Sequence, residues 1–239
     1  IRNNQFEQHM QDEIIMKRFA DLLWRVKSGE PLQYVIGRWD FYESEFFVGK
    51  GVLIPRPETE ELVELAVKHI KTLGKCVVYD LCAGSGAIGV SIARACPNAT
   101  VYLIEKSADA MFYLLKNADG VDNAKVICGD IANDFDLPQA DVIISNPPYI
   151  ESNEISSLQR EVQYEPSIAL DGGADGLDFY RIINDKWAHK LLPEGMLFLE
   201  IGNNQGESIL TVLDNYKDIK VLKDMYGNDR MVTAAGKEN

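Results

Sequence analysis

The chain has 239 residues, 46% of them apolar, with 37 acidic against 24 basic side chains and a formal net charge of −13. That length suits one main domain with a small appendage and a substantial core built without metals or disulfides. The charge disfavours a polyanion-binding surface. No apolar run approaches the roughly 20 residues of a membrane span and no signal-peptide pattern opens the chain, so a soluble, cytoplasmic protein is expected, without membrane contact or direct nucleic-acid binding. Cys76, Cys82, Cys96 and Cys128 form no Cys-x-x-Cys pair, and His9, His69 and His189 are isolated, so neither a disulfide nor a metal site is expected.

From the amino end, Phe6 to Lys27 carries Ile14, Ile15, Phe19, Leu22, Leu23 and Val26 as a helical stripe ending at Ser28-Gly29, and it is expected to pack within a small helical domain. Asp40 to Ile54 alternates and turns at Gly49-Lys50-Gly51, a pattern that predicts a hairpin bringing Arg56 and Glu58 to the rim of a pocket. Pro57 opens a helix whose first turn holds Glu58, Glu60 and Glu61, as the helix dipole favours. Short buried strands follow at Val77–Leu81, Thr100–Ile104, Lys125–Cys128 and Asp141–Ser145, the first leading through a glycine turn into a helix ending at Ala95. Residues 150–175 are polar and lack periodicity, and are read as a lid before order resumes at Leu177–Leu192. Met196–Ile201 reads as a strand, Gln205–Leu213 as a helix, and Ile219–Leu222 with Met231–Ala235 as an antiparallel pair. The alternation predicts an α/β fold with a doubly wound, mainly parallel sheet ending in that pair. Three units are expected: a helical piece over 1–37, a hairpin linker over 38–56 and the main domain over 57–239.

Chemistry concentrates at the strand ends. Cys82-Ala83-Gly84-Ser85-Gly86-Ala87-Ile88-Gly89 satisfies a dinucleotide fingerprint, but Asp80 just before it would repel a pyrophosphate and suits the ammonium group of a cationic ligand. That favours S-adenosylmethionine over NAD. Glu105 ends the next strand, placed to accept from two ribose hydroxyls, and Asp130 with Ile131 ends the third, placed for an adenine amino group and ring. Asn146-Pro147-Pro148-Tyr149 comes off the fourth. Two prolines end the strand and stiffen it, leaving the carbonyls of Asn146 and Pro147 and the Asn146 side-chain oxygen free to accept the hydrogens of an –NH2 group, with the Tyr149 ring as a flat face. Amino groups of a nucleic-acid base, adenine or guanine, and of an amide both fit such a pocket.

The glycine turn, Glu105, Asp130 and Asn146-Pro147-Pro148-Tyr149 resemble a class I methyltransferase acting on a planar nitrogen. Gly29-Glu30-Pro31-Leu32-Gln33-Tyr34-Val35-Ile36-Gly37, Val52-Leu53-Ile54-Pro55-Arg56-Pro57-Glu58-Thr59-Glu60 and Glu165-Pro166-Ser167-Ile168-Ala169-Leu170 are similar to segments of the peptide-chain-release-factor glutamine methyltransferases. The resemblance implies methyl transfer from S-adenosylmethionine, leaving S-adenosylhomocysteine, to the amide nitrogen of the glutamine in a release factor's Gly-Gly-Gln tip. It implies Cys82, Ala83, Gly84, Ser85, Gly86, Glu105, Ile131 and Asn146 at the cofactor and Asn146, Pro147, Pro148 and Tyr149 at the glutamine; the residue reading adds Asp80 and Asp130 to the cofactor set and Arg56 to the substrate set, with Asn146, Pro147 and Tyr149 expected to be catalytic and no metal expected. It makes 1–37 part of a longer substrate-docking domain, as a chain opening on Ile1 also suggests. Where the family shows Gly-Thr, this chain has Cys82-Ala83; if the turn needs positive φ, strain is expected at Cys82.

Overall fold

The computed structural model describes the backbone of residues 2–237 and the side chains of 12–237; Phe6 and His9 lie outside the described side chains. Helix α1 (Arg2–Lys27) is followed by a short α2 (Leu32–Ile36) and a hairpin of β1 (Arg38–Phe41) and β2 (Ser44–Phe47). The main unit continues as α3 (Pro57–Ile70), β3 (Cys76–Leu81), α4 (Ala87–Ala95), β4 (Ala99–Glu105), α5 (Ala108–Ala118), β5 (Ala124–Cys128) and β6 (Ala140–Ser145). After an irregular stretch come α6 (Asp178–Ile182), β7 (Leu191–Glu200), α7 (Gly206–Val212), β8 (Tyr216–Lys223) and β9 (Asp229–Gly236).

The seven-stranded sheet runs β5-β4-β3-β6-β7-β9-β8. Neighbours from β5 to β7 are parallel, whereas β9 is antiparallel to both β7 and β8. The expected doubly wound sheet with its antiparallel end is what forms. Alternation along β3 sends Val78 to the face covered by α3 and α4, and Tyr79 and Leu81 to the face covered by Tyr180 and Trp187. Residues Ile183–Trp187 form a π-helical turn that continues α6, and the buried Trp187 indole N–H donates to the Ile131 carbonyl at 2.8 Å. That bond ties the loop after β5 to the helical layer on the same face of the sheet.

Two expectations fail here. The hairpin turns at Tyr42-Glu43, where Tyr42 takes φ +45°, rather than at Gly49–Gly51. Phe41 and Phe46 are both buried, so the cross-strand pairing is set by apolar burial, while Gly51 is needed because the loop passes close to Asp109. The stripe of α1 does not pack into a core either: Ile14, Ile15, Phe19, Leu22 and Leu23 are exposed. The helix is held instead at its carboxyl end, where Arg25 pairs bidentately with Glu30 and Tyr164 donates to the Ser28 carbonyl.

Helix α4 lies unusually close to the sheet at Gly89. A Cβ there would stand 2.6 Å from the Leu103 side chain and 2.7 Å from the Asp80 carboxylate. Gly89→Ala is therefore expected to destabilise the fold by about 1–3 kcal/mol through overpacking, read as a lowered midpoint in urea with unchanged cooperativity.

Candidate active site

The carboxyl ends of β3, β4, β5 and β6 open on one cleft of about 850 Å³, measured to its open mouth. Its floor is Cys82, Ala83, Gly84 and Ser85; its sides include Glu105, Asp130, Ile131, Asn146 and Pro148. All nine are residues singled out in the sequence, and the sheet brings them together. The turn needs positive φ at three points: Cys82 at +59°, Gly84 at +57° and Gly86 at +80°. Cys82 thus holds a conformation that a non-glycine residue adopts at a cost of roughly 1–2 kcal/mol, as anticipated if the turn required it.

Glu105 is buried and bridges the turn to the next helix. Its two oxygens accept from Gly84 N–H at 2.8 Å and Ser107 N–H at 2.7 Å. Asp130 accepts from Ala132 N–H at 3.0 Å and meets Lys106 Nζ at 3.3 Å, and these bonds hold its carboxyl below the usual carboxylate range. Lys106 also lies 5.7 Å from the centre of the Phe179 ring, which lines the cleft.

Five expected residues do not line the cleft. Asp80 is fully buried on the helical side of β3, where alternation sends it, and accepts from Gly89 N–H at 2.8 Å. Gly86 turns toward Leu114 and serves the start of α4. Pro147 is buried. Tyr149 does not present its face to the cleft: its ring packs into the core and its hydroxyl donates to Glu200 at 3.3 Å. Arg56 pairs with Glu165 instead of reaching inward.

The sequence reading missed the rest of the wall. Glu165, buried, accepts from Ile54 N–H at 2.9 Å as well as from Arg56, so the 150–175 segment is clamped onto the 52–56 segment, and Pro166, Ile168 and Ala169 line the cleft beside Val52, Leu53 and Pro55. The segment's ends meet through a parallel bridge between Ile150 and Asp171. Thr59, on the first turn of α3, also lines the cleft, donates to Glu200 Oε2 at 2.5 Å and accepts from Asn146 Nδ2 at 3.2 Å. The Asn146 side-chain oxygen and the carbonyls of Asn146 and Pro147 accept no hydrogen bond among the described residues.

Residues 59–164 match the family model described as Methyltransferase small domain. A release factor glutamine methyltransferase of Thermodesulfovibrio yellowstonii is 40% identical over 218 residues, covering 88% of this chain and 78% of the relative. One from Clostridium acetobutylicum is 38% identical over 234 residues, covering 93% and 81%. The chain belongs to the release factor glutamine methyltransferase family. Among solved structures, a T. thermophilus 16S rRNA N2 G1207 methyltransferase in complex with AdoMet and guanosine aligns with a TM-score of 0.58 at 19% identity, over 84% of this chain and 50% of that one. That likeness is one of fold.

The side chains of the cleft fit the S-adenosylmethionine that the family implies. Glu105 and Asp130 supply acceptors at two strand ends, Ile131 and Phe179 supply apolar surface, and Lys106, a cation on this wall, is already paired with Asp130. A pyrophosphate would face uncompensated negative charge there, whereas a sulfonium ligand would not.

Burial pushes the Asp80 carboxyl up to about 8, and the remaining Asp80 oxygen has no hydrogen-bond partner. The folded state then holds a proton that the unfolded chain releases near 3.8, so this group's stabilisation is fully present below that value and is lost as pH rises to about 8. The difference in unfolding free energy between Asp80→Asn and the parent is expected to widen in favour of the variant from pH 4 to 8 and then level off, as chemical denaturation across that range would record.

Proposed function

We propose that this chain transfers a methyl group from S-adenosylmethionine to the side-chain amide nitrogen of the glutamine in the Gly-Gly-Gln tip of peptide chain release factors. The observation that carries the reading is at Asn146, which lines the cleft: its side-chain nitrogen is bonded to Thr59 while its side-chain oxygen and its carbonyl are unengaged, and the carbonyl of Pro147 next to it is unengaged as well. Cofactor contacts are assigned to Cys82 through Ser85, Glu105, Asp130, Ile131 and Asn146; the amide is assigned to Asn146, the Pro147 carbonyl and Pro148. Tyr149 and Arg56 support these groups from behind.

When bound, S-adenosylmethionine supplies an electrophilic methyl group. An amide nitrogen is a weak nucleophile because its lone pair is shared with the carbonyl, so positioning is the protein's main tool. The Asn146 side-chain oxygen and the Pro147 carbonyl accept the two N–H bonds of the glutamine amide and fix its plane. The same acceptors stabilise positive charge developing on that nitrogen, and a proton leaves to water. The Pro147-Pro148 backbone cannot relax away from this geometry without unwinding the strand end.

A protein substrate is favoured over a nucleic-acid base by the charge of −13 and by the carboxylates of Glu105 and Asp130 at the cleft. Direct nucleic-acid binding is not part of the reading. Among the described residues no helix is long and apolar enough to cross a membrane, and the reading places the enzyme in the cytoplasm.

Radiolabelled S-adenosylmethionine offered with release factor, with a release factor whose tip glutamine is alanine, and with bulk DNA and RNA is expected to label the first alone. Label confined to nucleic acid would assign the site to base amines instead. Asn146→Ala is expected to lower turnover by about 100-fold, on the order of 3 kcal/mol of transition-state stabilisation, with its denaturation midpoint little changed.

A further inference from the structure

We infer that Glu200 is a positioning residue: through Thr59, its carboxylate fixes which end of the Asn146 amide faces the cleft. The inference rests on the amide-orienting role proposed for Asn146.

Glu200 ends β7 and is 2% exposed. Both of its oxygens meet hydroxyls that have a single hydrogen each: Oε2 is 2.5 Å from Thr59 Oγ1, and Oε1 is 3.3 Å from the Tyr149 hydroxyl. An ionised carboxylate only accepts, so the hydrogen of Thr59 is committed to Glu200. What remains at Thr59 Oγ1 is a lone pair. The neighbour at 3.2 Å must therefore be a donor, and the Asn146 amide is forced to turn its nitrogen to Thr59 and its oxygen away. That oxygen is the acceptor an incoming –NH2 group requires.

A neutral Glu200 reverses the chain. With the proton on Oε2, the oxygen nearer its neighbour, Glu200 donates to Thr59, the Thr59 hydrogen turns to the Asn146 oxygen, and the amide flips. The cleft then presents –NH2 to –NH2, a pairing of donors with no acceptor between them. No backbone movement is needed, since an amide flip exchanges two groups of nearly equal size. The fold therefore survives a change that disables the site.

The groups facing Glu200 come from four elements. Arg230 on β9 favours its ionised form, as do the hydroxyls of Thr59 on α3 and of Tyr149 after β6; Glu58 on α3 opposes it, and Tyr180 on α6 donates to the Glu200 backbone carbonyl rather than to its carboxylate. Burial outweighs the favourable contacts and raises the carboxyl above its ordinary 4.5. Since a raised value means protonation at a higher pH than an exposed glutamate, activity is lost on acidification while the protein remains folded.

The test uses the full chain. Glu200→Gln and Thr59→Val are each expected to lower kcat at least about tenfold and to weaken S-adenosylmethionine binding by a smaller factor, because the Asn146 amide is turned while the contacts of the glycine turn, Glu105, Asp130 and Ile131 stay in place. Thr59→Ser keeps the hydroxyl and is expected to restore turnover, which separates orientation from folding. The double variant Glu200→Gln/Thr59→Val is expected to be no worse than the poorer single one, since both break one chain. The acid limb of the kcat profile is expected in the parent and absent in Glu200→Gln. Without any methyl acceptor, the side-chain amide resonances of Asn146, assigned by their loss in Asn146→Asp, are expected to shift on acidification in the parent and to stay fixed in Glu200→Gln. Additive losses, an acid limb retained in Glu200→Gln, or pH-independent Asn146 resonances in the parent would overturn the inference. The resonance measurement stands apart from the substrate: a parent that shows the shift but leaves release factor unlabelled defeats the assignment of function and not that of Glu200.

Discussion

The parallel pairing of β3 with β6 is the constraint on which the site depends. Leu81 stands opposite Ser145 in that register, and the Ser145 hydroxyl donates to the Leu81 carbonyl at 2.6 Å. The glycine turn leaves one strand and Asn146-Pro147-Pro148-Tyr149 leaves the other at the same level of the sheet. From β3 the chain moves outward through β4 to β5, then returns to place β6 on the other side. Such a reversal leaves a crevice above the central strands that no crossover covers. The two sides of the cleft, Glu105 and Asp130 on one and Asn146 on the other, are therefore held at a separation fixed by two hydrogen-bonded strands.

A positive φ at Cys82 is the visible cost of making that gap usable. The chain must leave β3 sharply enough for Gly84 N–H to reach Glu105, and it does so with φ of +59°, +57° and +80° at alternate residues, one of them carrying a side chain. Strain at one residue is tolerated because the surroundings determine the backbone: Ala83 N–H donates to the Ile104 carbonyl, and Gly86 N–H to the Ala83 carbonyl. Cys82 also forms part of the cleft floor, so its thiol sits where burial and nearby carboxylates push its pKa upward and keep it neutral. A neutral small side chain at the floor leaves the charge pattern of the cleft to Glu105, Lys106 and Asp130.

Most strands and the two decisive loops were legible because their signals are local: apolar runs bounded by glycine, proline or an acid. The parts that were not legible are those set by contacts distant in sequence. Glu200 reads only as the polar end of an apolar strand, and Thr59 as one residue in an acidic helix start, yet they meet across 141 positions. Glu165 and Ile54 meet across 111. Nothing in the periodicity of 150–175 announces that it is clamped as a wall. Asp80 and Tyr149 show a different failure. Their neighbours were identified, but which face each side chain takes follows from strand alternation and from a buried hydroxyl's need for an acceptor. Alternation was available in the sequence: Asp80 shares parity with Val78, and both belong to the helical side. The hairpin was misplaced because Gly49–Gly51 do form a turn, closed by Val52 N–H on the Gly49 carbonyl with Gly51 at φ +106°, but that turn follows the second strand instead of joining the pair.

Four carboxylates, Asp80, Glu105, Glu165 and Glu200, are buried in or just behind the cleft, in a protein whose chemistry calls for no strong base. Burying such groups costs several kcal/mol each unless hydrogen bonds compensate, so their number needs a reason. Each fastens a segment that the sheet alone does not hold: Asp80 the start of α4, Glu105 the glycine turn, Glu165 the 52–56 loop, and Glu200 both Thr59 and Tyr149. An apolar residue of the same size would pack there at lower cost, but it would not dictate the direction of a hydroxyl or the rotation of an amide. At Glu200 that direction comes from an ionised carboxylate, which accepts and has no hydrogen of its own, whereas Asp80, protonated up to about pH 8, only fastens Gly89 N–H. For a weak nucleophile that must be held rather than activated, a rigid ring of acceptors behind the cleft serves the reaction more directly than a titrating group within it.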